Sequence, residues 1–235
     1  MARNRAKTGR DERGAAAGAG KPQAAEVIVQ AGEVALEGTL TLPEPAIGVV
    51  AFAHGSGSSR FSPRNRFVSG FLNEGGLATL LFDLLTAREH EVDEWTRELR
   101  FDIDLLTRRL VGAVDWLTAH PQAGKLRIGL FGASTGAAAA LAAAAERPER
   151  VVAVVSRGGR PDLAMAALPR VRAATLLIVG GLDQPVIGMN RDAAAHLEVE
   201  HRIEIVPGAT HLFEEPGKLE EVARLAREWF QRHLR

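Results

Sequence analysis

The sequence contains no cysteine and no tyrosine. The first absence excludes a disulfide framework, a thiolate zinc or iron–sulfur site, and a cysteine nucleophile. The second removes any phenolic proton donor. Covalent chemistry, if the chain performs it, falls to serine, threonine, lysine, histidine or a carboxylate. Net charge is absent too, since 29 Lys and Arg balance 29 Asp and Glu. A protein devoted to nucleic acid needs a concentrated positive field, and this composition supplies none. The basic start (Arg3, Arg5, Lys7, Arg10, Arg13) has no aromatic residue to stack bases and is expected to be a solvated tail. No apolar run approaches the roughly 20 residues that span a bilayer. The opening residues carry no apolar stretch of the kind a secretory leader has. The expectation is a cytoplasmic protein that engages neither membrane nor nucleic acid.

What is present fits one domain. The chain has 235 residues, 46% of them hydrophobic, and a single α/β domain runs to roughly 200–250 residues. Residues 1–24 read as the basic, Ala/Gly-rich tail and 25–235 as the domain. Val27–Val29 and Val34–Leu42 alternate as two strands joined at Ala31-Gly32, with Pro43 and Pro45 closing the hairpin. Six apolar runs of strand length follow: Ile47–Ala53, Leu77–Phe82, Leu126–Phe131, Val151–Val155, Thr175–Val179 and Ile203–Val206. Continuous apolar strands are buried on both faces. Helical spacing appears over Asn65–Asn73, Leu99–Leu117, Ser134–Ala145, Asp192–Leu197 and Leu219–Leu234. Strand–helix alternation of this kind builds a mainly parallel sheet with helices on both faces, here with antiparallel strands at the N-terminal edge.

The chemistry concentrates in Gly132-Ala133-Ser134-Thr135-Gly136, where a strand ends and a helix begins at once. Gly-x-Ser-x-Gly in that setting is a nucleophile elbow, a sharp turn that lifts one serine clear of the sheet. Small flanks are required because strand and helix pass so close. A serine nucleophile needs a base and an orienting acid. Asp183 follows the strand Thr175–Val179, and His211 follows the strand Ile203–Val206, which gives the chain order Ser, Asp, His. Each alone has an ordinary reading, Asp183 as a turn former and His211 as a surface loop histidine among seven histidines. Together they fall in order at strand ends, where open α/β sheets place their sites. His54-Gly55-Ser56-Gly57-Ser58-Ser59-Arg60 follows the strand Ile47–Ala53, where an oxyanion donor is expected. The amides of Ser56 and Thr135 are the candidates, and His54 and Asp83 are expected to brace structure. The Gly-Ser-Gly turn lacks the Gly-Lys-Ser/Thr ending of a phosphate-binding loop.

These residues, with Ser62-Pro63-Arg64-Asn65 behind the glycine-rich loop, resemble the dienelactone-hydrolase-like branch of the α/β-hydrolase superfamily over about 25–235. The resemblance implies an α/β-hydrolase fold and a cofactor-independent hydrolase, with Ser134 as nucleophile, His211 as base and Asp183 as orienting acid. Dienelactone hydrolase proper uses a cysteine nucleophile, so this sequence departs from it there. Ser156–Ala174 joins two strands with no room for a cap domain, so an open, shallow site for small or flexible substrates is expected. Arg60, Arg64, Arg157 and Arg160 are candidates for clamping an anionic substrate group. The expected reaction is two-step acyl transfer on a carboxylic ester, whose chemistry thioesters and lactones share. The expected partner is a small-molecule ester, with no metal and with homo-oligomerisation left open. The alternative is a non-catalytic α/β-hydrolase-fold domain used for binding.

Overall fold

The computed structural model describes residues 22–235, so most of the expected tail lies outside the described residues. Strand β1 (Gln23–Ala31) begins two residues before the boundary expected at Ala25. It pairs antiparallel with β2 (Val34–Leu42) through a tight turn in which Gly32 takes a φ of 64°. That left-handed value is what glycine supplies in a hairpin turn. The remaining strands are β3 (Val49–Ala53), β4 (Ala78–Phe82), β5 (Ile128–Ala133), β6 (Val151–Arg157), β7 (Ala174–Gly180) and β8 (His201–Val206). They form one eight-stranded sheet in the order β1-β2-β4-β3-β5-β6-β7-β8. β2 meets β4 antiparallel, and every pairing from β4 to β8 is parallel. The mainly parallel sheet with an antiparallel N-terminal hairpin is therefore as the sequence pattern implied.

Six helices occur among the described residues: α1 (Pro63–Glu74), α2 (Ala87–Thr96), α3 (Ile103–Ala119), α4 (Thr135–Glu146), α5 (Gln184–Ala194) and α6 (Lys218–His233). Alternation along the central strands divides the core. Val49, Ala51, Ile128, Leu130 and Val154 pack with Leu110, Val114 and Leu117 of α3 and with the alanines of α4. Val50, Phe52, Phe131 and Val155 face the other way, against Val68 and Leu72 of α1 and Val222, Trp229 and Phe230 of α6. A strand with apolar residues on both pleats can only be satisfied by a helix layer on each side. Between β6 and β7 the chain forms only short 3-10 turns, in which Pro161 and Leu168 are buried against the body of the domain, so this connection forms no cap over the sheet end. No helix among the described residues is long and apolar enough to cross a membrane.

Two helices depart from the sequence pattern. α2 was not expected at all. Its sequence is charged, and Asp93 is its one buried residue. Its start rests on a capping box: Thr86 accepts from the Glu89 N–H at 3.2 Å, and Glu89 accepts from the Thr86 N–H at 2.8 Å. α5 lies earlier than the expected Asp192–Leu197. Asn190 interrupts its apolar stripe, yet it is fully buried because its amide donates to Gly159 O and Val186 O at 3.0 and 2.8 Å. The long helix expected from Leu99 is also divided. Leu99–Phe101 is a 3-10 turn, and Asp102 then caps α3 by accepting from the Leu105 N–H at 2.9 Å.

Candidate active site

Ser134 stands between β5 and α4 with φ 51° and ψ −121°. A side chain other than glycine rarely occupies that region, and holding it there stores roughly 1–3 kcal/mol. The flanking glycines make the turn feasible. A Cβ on Gly132 would lie 2.6 Å from Gly136 O and 2.7 Å from Ala137 N. One on Gly136 would lie 2.5 Å from the His54 carbonyl oxygen and closer still to that of Ala53. The Ser134 carbonyl accepts from the N–H groups of Ala137 and Arg160, each at 3.1 Å, which fixes the turn against the chain beyond β6. Thr135 opens α4, so its N–H is one of those a helix leaves unpaired at its start.

The loops after β7 and β8 are fitted to each other through backbone. Gly181 and Leu182 donate to Val206 O and Ala209 O at 2.8 and 3.0 Å. Gly180 admits this approach, because a Cβ there would sit 2.5 Å from the carbonyl oxygens of Ala209 and Thr210. The consequence is a His211 Nδ1 to Asp183 Oδ2 distance of 2.6 Å. Glu215 grips the same loop by accepting from the Thr210 N–H at 3.1 Å, and that bond holds its carboxyl below the usual carboxylate range. With Nδ1 bonded to the carboxylate, Nε2 is the nitrogen left for a proton from elsewhere. Ser134 and His211 line one cavity of about 220 Å³, with Gly55, Ser56, Asn65 and Arg157 among its walls.

His54 ties the glycine-rich loop to the sheet. Its Nε2 accepts from the Leu84 N–H at 3.1 Å, so Nδ1 carries the proton and donates to Gly55 O at 3.1 Å. Burial holds this imidazole below its ordinary pKa and keeps it neutral. Gly55 O accepts a second bond from the Ser58 N–H at 3.2 Å. A trans peptide points its carbonyl and the next N–H in opposite directions. Anchoring Gly55 O therefore directs the Ser56 N–H away from the His54 side of the loop. Gly55 itself lies against the elbow, where a Cβ would be 3.3 Å from that of Ser134.

The four arginines separate. Arg60 is committed to Asp83 through Nη1, to the same carboxylate through its backbone N–H at 2.7 Å, and to Glu37 through Nη2 at 2.7 Å. It lines a neighbouring cavity of about 430 Å³ with Phe61 and His90. Arg160 forks onto Asp162 through Nε and Nη2 at 2.8 and 2.7 Å. Neither is among the residues lining the Ser134 cavity. Arg64 and Arg157 do line it. Among the described residues no three His, Asp or Glu side chains gather as a metal site.

A serine on a strained strand-to-helix turn that shares a cavity with a histidine, itself paired with an aspartate beyond another strand, fits the arrangement of the α/β-hydrolase fold. The dienelactone hydrolase family model matches residues 43–235, and the chain belongs to that family. A dienelactone hydrolase from Anabaena variabilis is 62% identical, with a TM-score of 0.91 over 92% of this chain and all of that one. The esterase domain of a Rhodothermus marinus protein shares the fold at 20% identity, with a TM-score of 0.70 over 90% of this chain and 99% of its own. Proteins from two strains of Mycobacterium tuberculosis, named as candidate phosphoribosyl transferases, are 56% identical over 209 residues. That alignment takes in 89% of this chain but 46% of each of theirs, so the chain spans about half the length of those relatives.

Proposed function

We propose that the chain is a cofactor-independent serine hydrolase that cleaves a carboxylic ester through an acyl-enzyme. Ser134 is the nucleophile, His211 takes its proton at Nε2, and Asp183 holds the imidazole in the tautomer that permits this. The N–H groups of Ser56 and Thr135 receive the developing oxyanion, and water then releases the acyl group. The observation that carries this reading is the 2.6 Å His211–Asp183 contact, with His211 lining the same cavity as the strained Ser134. A buried serine in an ordinary tight turn has no need of a positive φ or of an imidazole–carboxylate pair beside it. Thioesters and lactones pass through the same intermediate and belong to the same substrate range.

The transferase name of the mycobacterial relatives is assigned, on this reading, to the half of those chains that lies outside the match. A panel of p-nitrophenyl esters and a fluorophosphonate label, applied to the native chain and to Ser134→Ala, test the hydrolase reading. Turnover and labelling that both vanish in Ser134→Ala are expected. A native chain that neither turns over esters nor takes the label is instead a binding domain on a hydrolase fold. Phosphoribosyl transfer by this chain alone is not expected.

A further inference from the structure

We propose that the side-chain amide of Asn65 is a third hydrogen-bond donor at this site, joining the Ser56 and Thr135 N–H groups in holding the oxyanion that forms when Ser134 attacks. The inference rests on the hydrolase reading above and adds a catalytic residue to it.

Asn65 reaches the site through the segment that follows the glycine-rich loop. Ser62 caps α1 by accepting from the Asn65 N–H at 3.4 Å, and Pro63 supplies a first helical residue that has no N–H to pair. The Ser62 N–H donates to Ser59 O at 3.0 Å, so the start of α1 is tied to that loop. Asn65 then opens the buried stripe of the helix, ahead of Val68 and Leu72. An apolar residue would continue the stripe. Instead a carboxamide lines the Ser134 cavity, with Gly55 and Ser56 among the other walls.

This carboxamide is unspent. Asn65 is only 2% exposed, yet its Oδ1 meets no donor, and among the described residues its Nδ2 donates to no group of the chain. The other two buried asparagines behave differently. Asn73 Nδ2 donates to Leu77 O and Thr79 Oγ1 at 2.9 and 3.0 Å. Asn190 Nδ2 is held by Gly159 O and Val186 O. An amide buried without partners opposes folding, and a leucine of similar size would remove that penalty. The placement makes sense if the acceptor for Nδ2 forms during the reaction. As Ser134 Oγ bonds to the ester carbonyl carbon, its proton passes to His211 Nε2 and the π pair of the C=O bond moves onto the oxygen. A donor fixed in this cavity by a capped helix stabilises that new charge without reorganising.

The test follows p-nitrophenyl acetate turnover, urea unfolding and inhibition by phenylboronic acid, whose adduct on a serine is tetrahedral like the intermediate. Asn65→Leu should lower kcat about 100- to 1,000-fold with KM little changed. It should weaken the boronic acid and leave the unfolding midpoint at or above the native value. An amide does not titrate, so the pH–rate profile of Asn65→Leu should be scaled down without moving along the pH axis. Asn65→Asp keeps the shape of the side chain, loses the donor and adds a negative charge, so kcat should fall at least as far. A native kcat in Asn65→Leu, a loss confined to KM, or unchanged inhibition by the boronic acid overturns the proposal. So does a loss of activity in both variants that only follows a lowered unfolding midpoint, which would make Asn65 structural. Each of these outcomes leaves the hydrolase reading standing while the native chain turns over the ester. A native chain inert to ester and boronic acid alike overturns that reading and the donor with it.

Discussion

Gly136→Ala strikes the point where the elbow helix meets the glycine-rich loop. The added methyl would fall 2.5 Å from His54 O and closer to Ala53 O, both rigid backbone at the end of β3. Carbon atoms settle at about 3.5–4.0 Å from their neighbours, so α4 and the β3 end must separate by about 1 Å. Forcing a methyl into a packed interior of this kind costs about 1–3 kcal/mol. The functional loss should be larger than the loss of stability suggests. The displaced segment runs straight into Gly55-Ser56, and a shift of about 1 Å in catalytic geometry can lower turnover about 100-fold. Gly188→Ala is the matched control, since a Cβ on that exposed helical glycine meets nothing within 4 Å. It should stabilise the chain by about 0.5–1 kcal/mol and leave turnover alone. Urea unfolding followed by circular dichroism, together with ester turnover, reads both variants. A Gly136→Ala chain that unfolds at the native midpoint and hydrolyses at the native rate would refute the close-packing argument.

Other perturbations reach separate parts of the account. His54 is held neutral by burial, so its folded pKa lies below the ordinary 6.5. The unfolded chain then binds more protons, and stability should fall as pH drops below about 6.5. His233 is shifted the same way, so the slope around pH 6 should shrink in His54→Phe and shrink further when His233→Gln is added. An unchanged slope in His54→Phe contradicts the lowered pKa assigned to the buried His54. Asp183→Asn keeps the shape but presents an amide to His211 Nδ1, and kcat should drop by about 10⁴-fold with little change in unfolding midpoint. Equal losses in the two measurements would give Asp183 a structural role. Arg100 Nε reaches Asp93 at 2.6 Å, where the carboxylate is almost fully buried and held below its usual pKa despite the burial. Arg100→Met leaves that charge alone and should cost about 3–5 kcal/mol in urea unfolding. A cost under 1 kcal/mol would mean that Asp93 is not a buried ion.

Much of this architecture was legible because its signals are local. Apolar runs such as Val49–Ala53 announce strands buried on both faces, and Gly132–Gly136 announces a turn that only small residues permit. Asp183 and His211 were readable because each closes a strand of its own. α2 was missed because its stability comes from charges and a capping box, where hydrophobic periodicity carries no information. Thr86 and Glu89, spaced as that box requires, were the available signal. α5 was misplaced because Asn190 stands in its apolar stripe and is reconciled by bonds to backbone 31 and 4 residues away. The arginines show the sharper boundary. Spacing brings Arg60, Arg64, Arg157 and Arg160 to loop ends, but their roles depend on which carboxylates lie nearby. Asp83 is 23 residues from Arg60 in sequence, whereas Asp162 beside Arg160 was within reading distance. That Arg157 meets no carboxylate is a property of the folded chain alone.

The most direct measurement is acid-quench mass spectrometry of the chain during turnover of a slowly deacylating p-nitrophenyl ester. The account calls for one acyl group per chain, located on the peptide that contains Ser134 and absent from Ser134→Ala. Full turnover with no adduct, or an adduct on another residue, would contradict it.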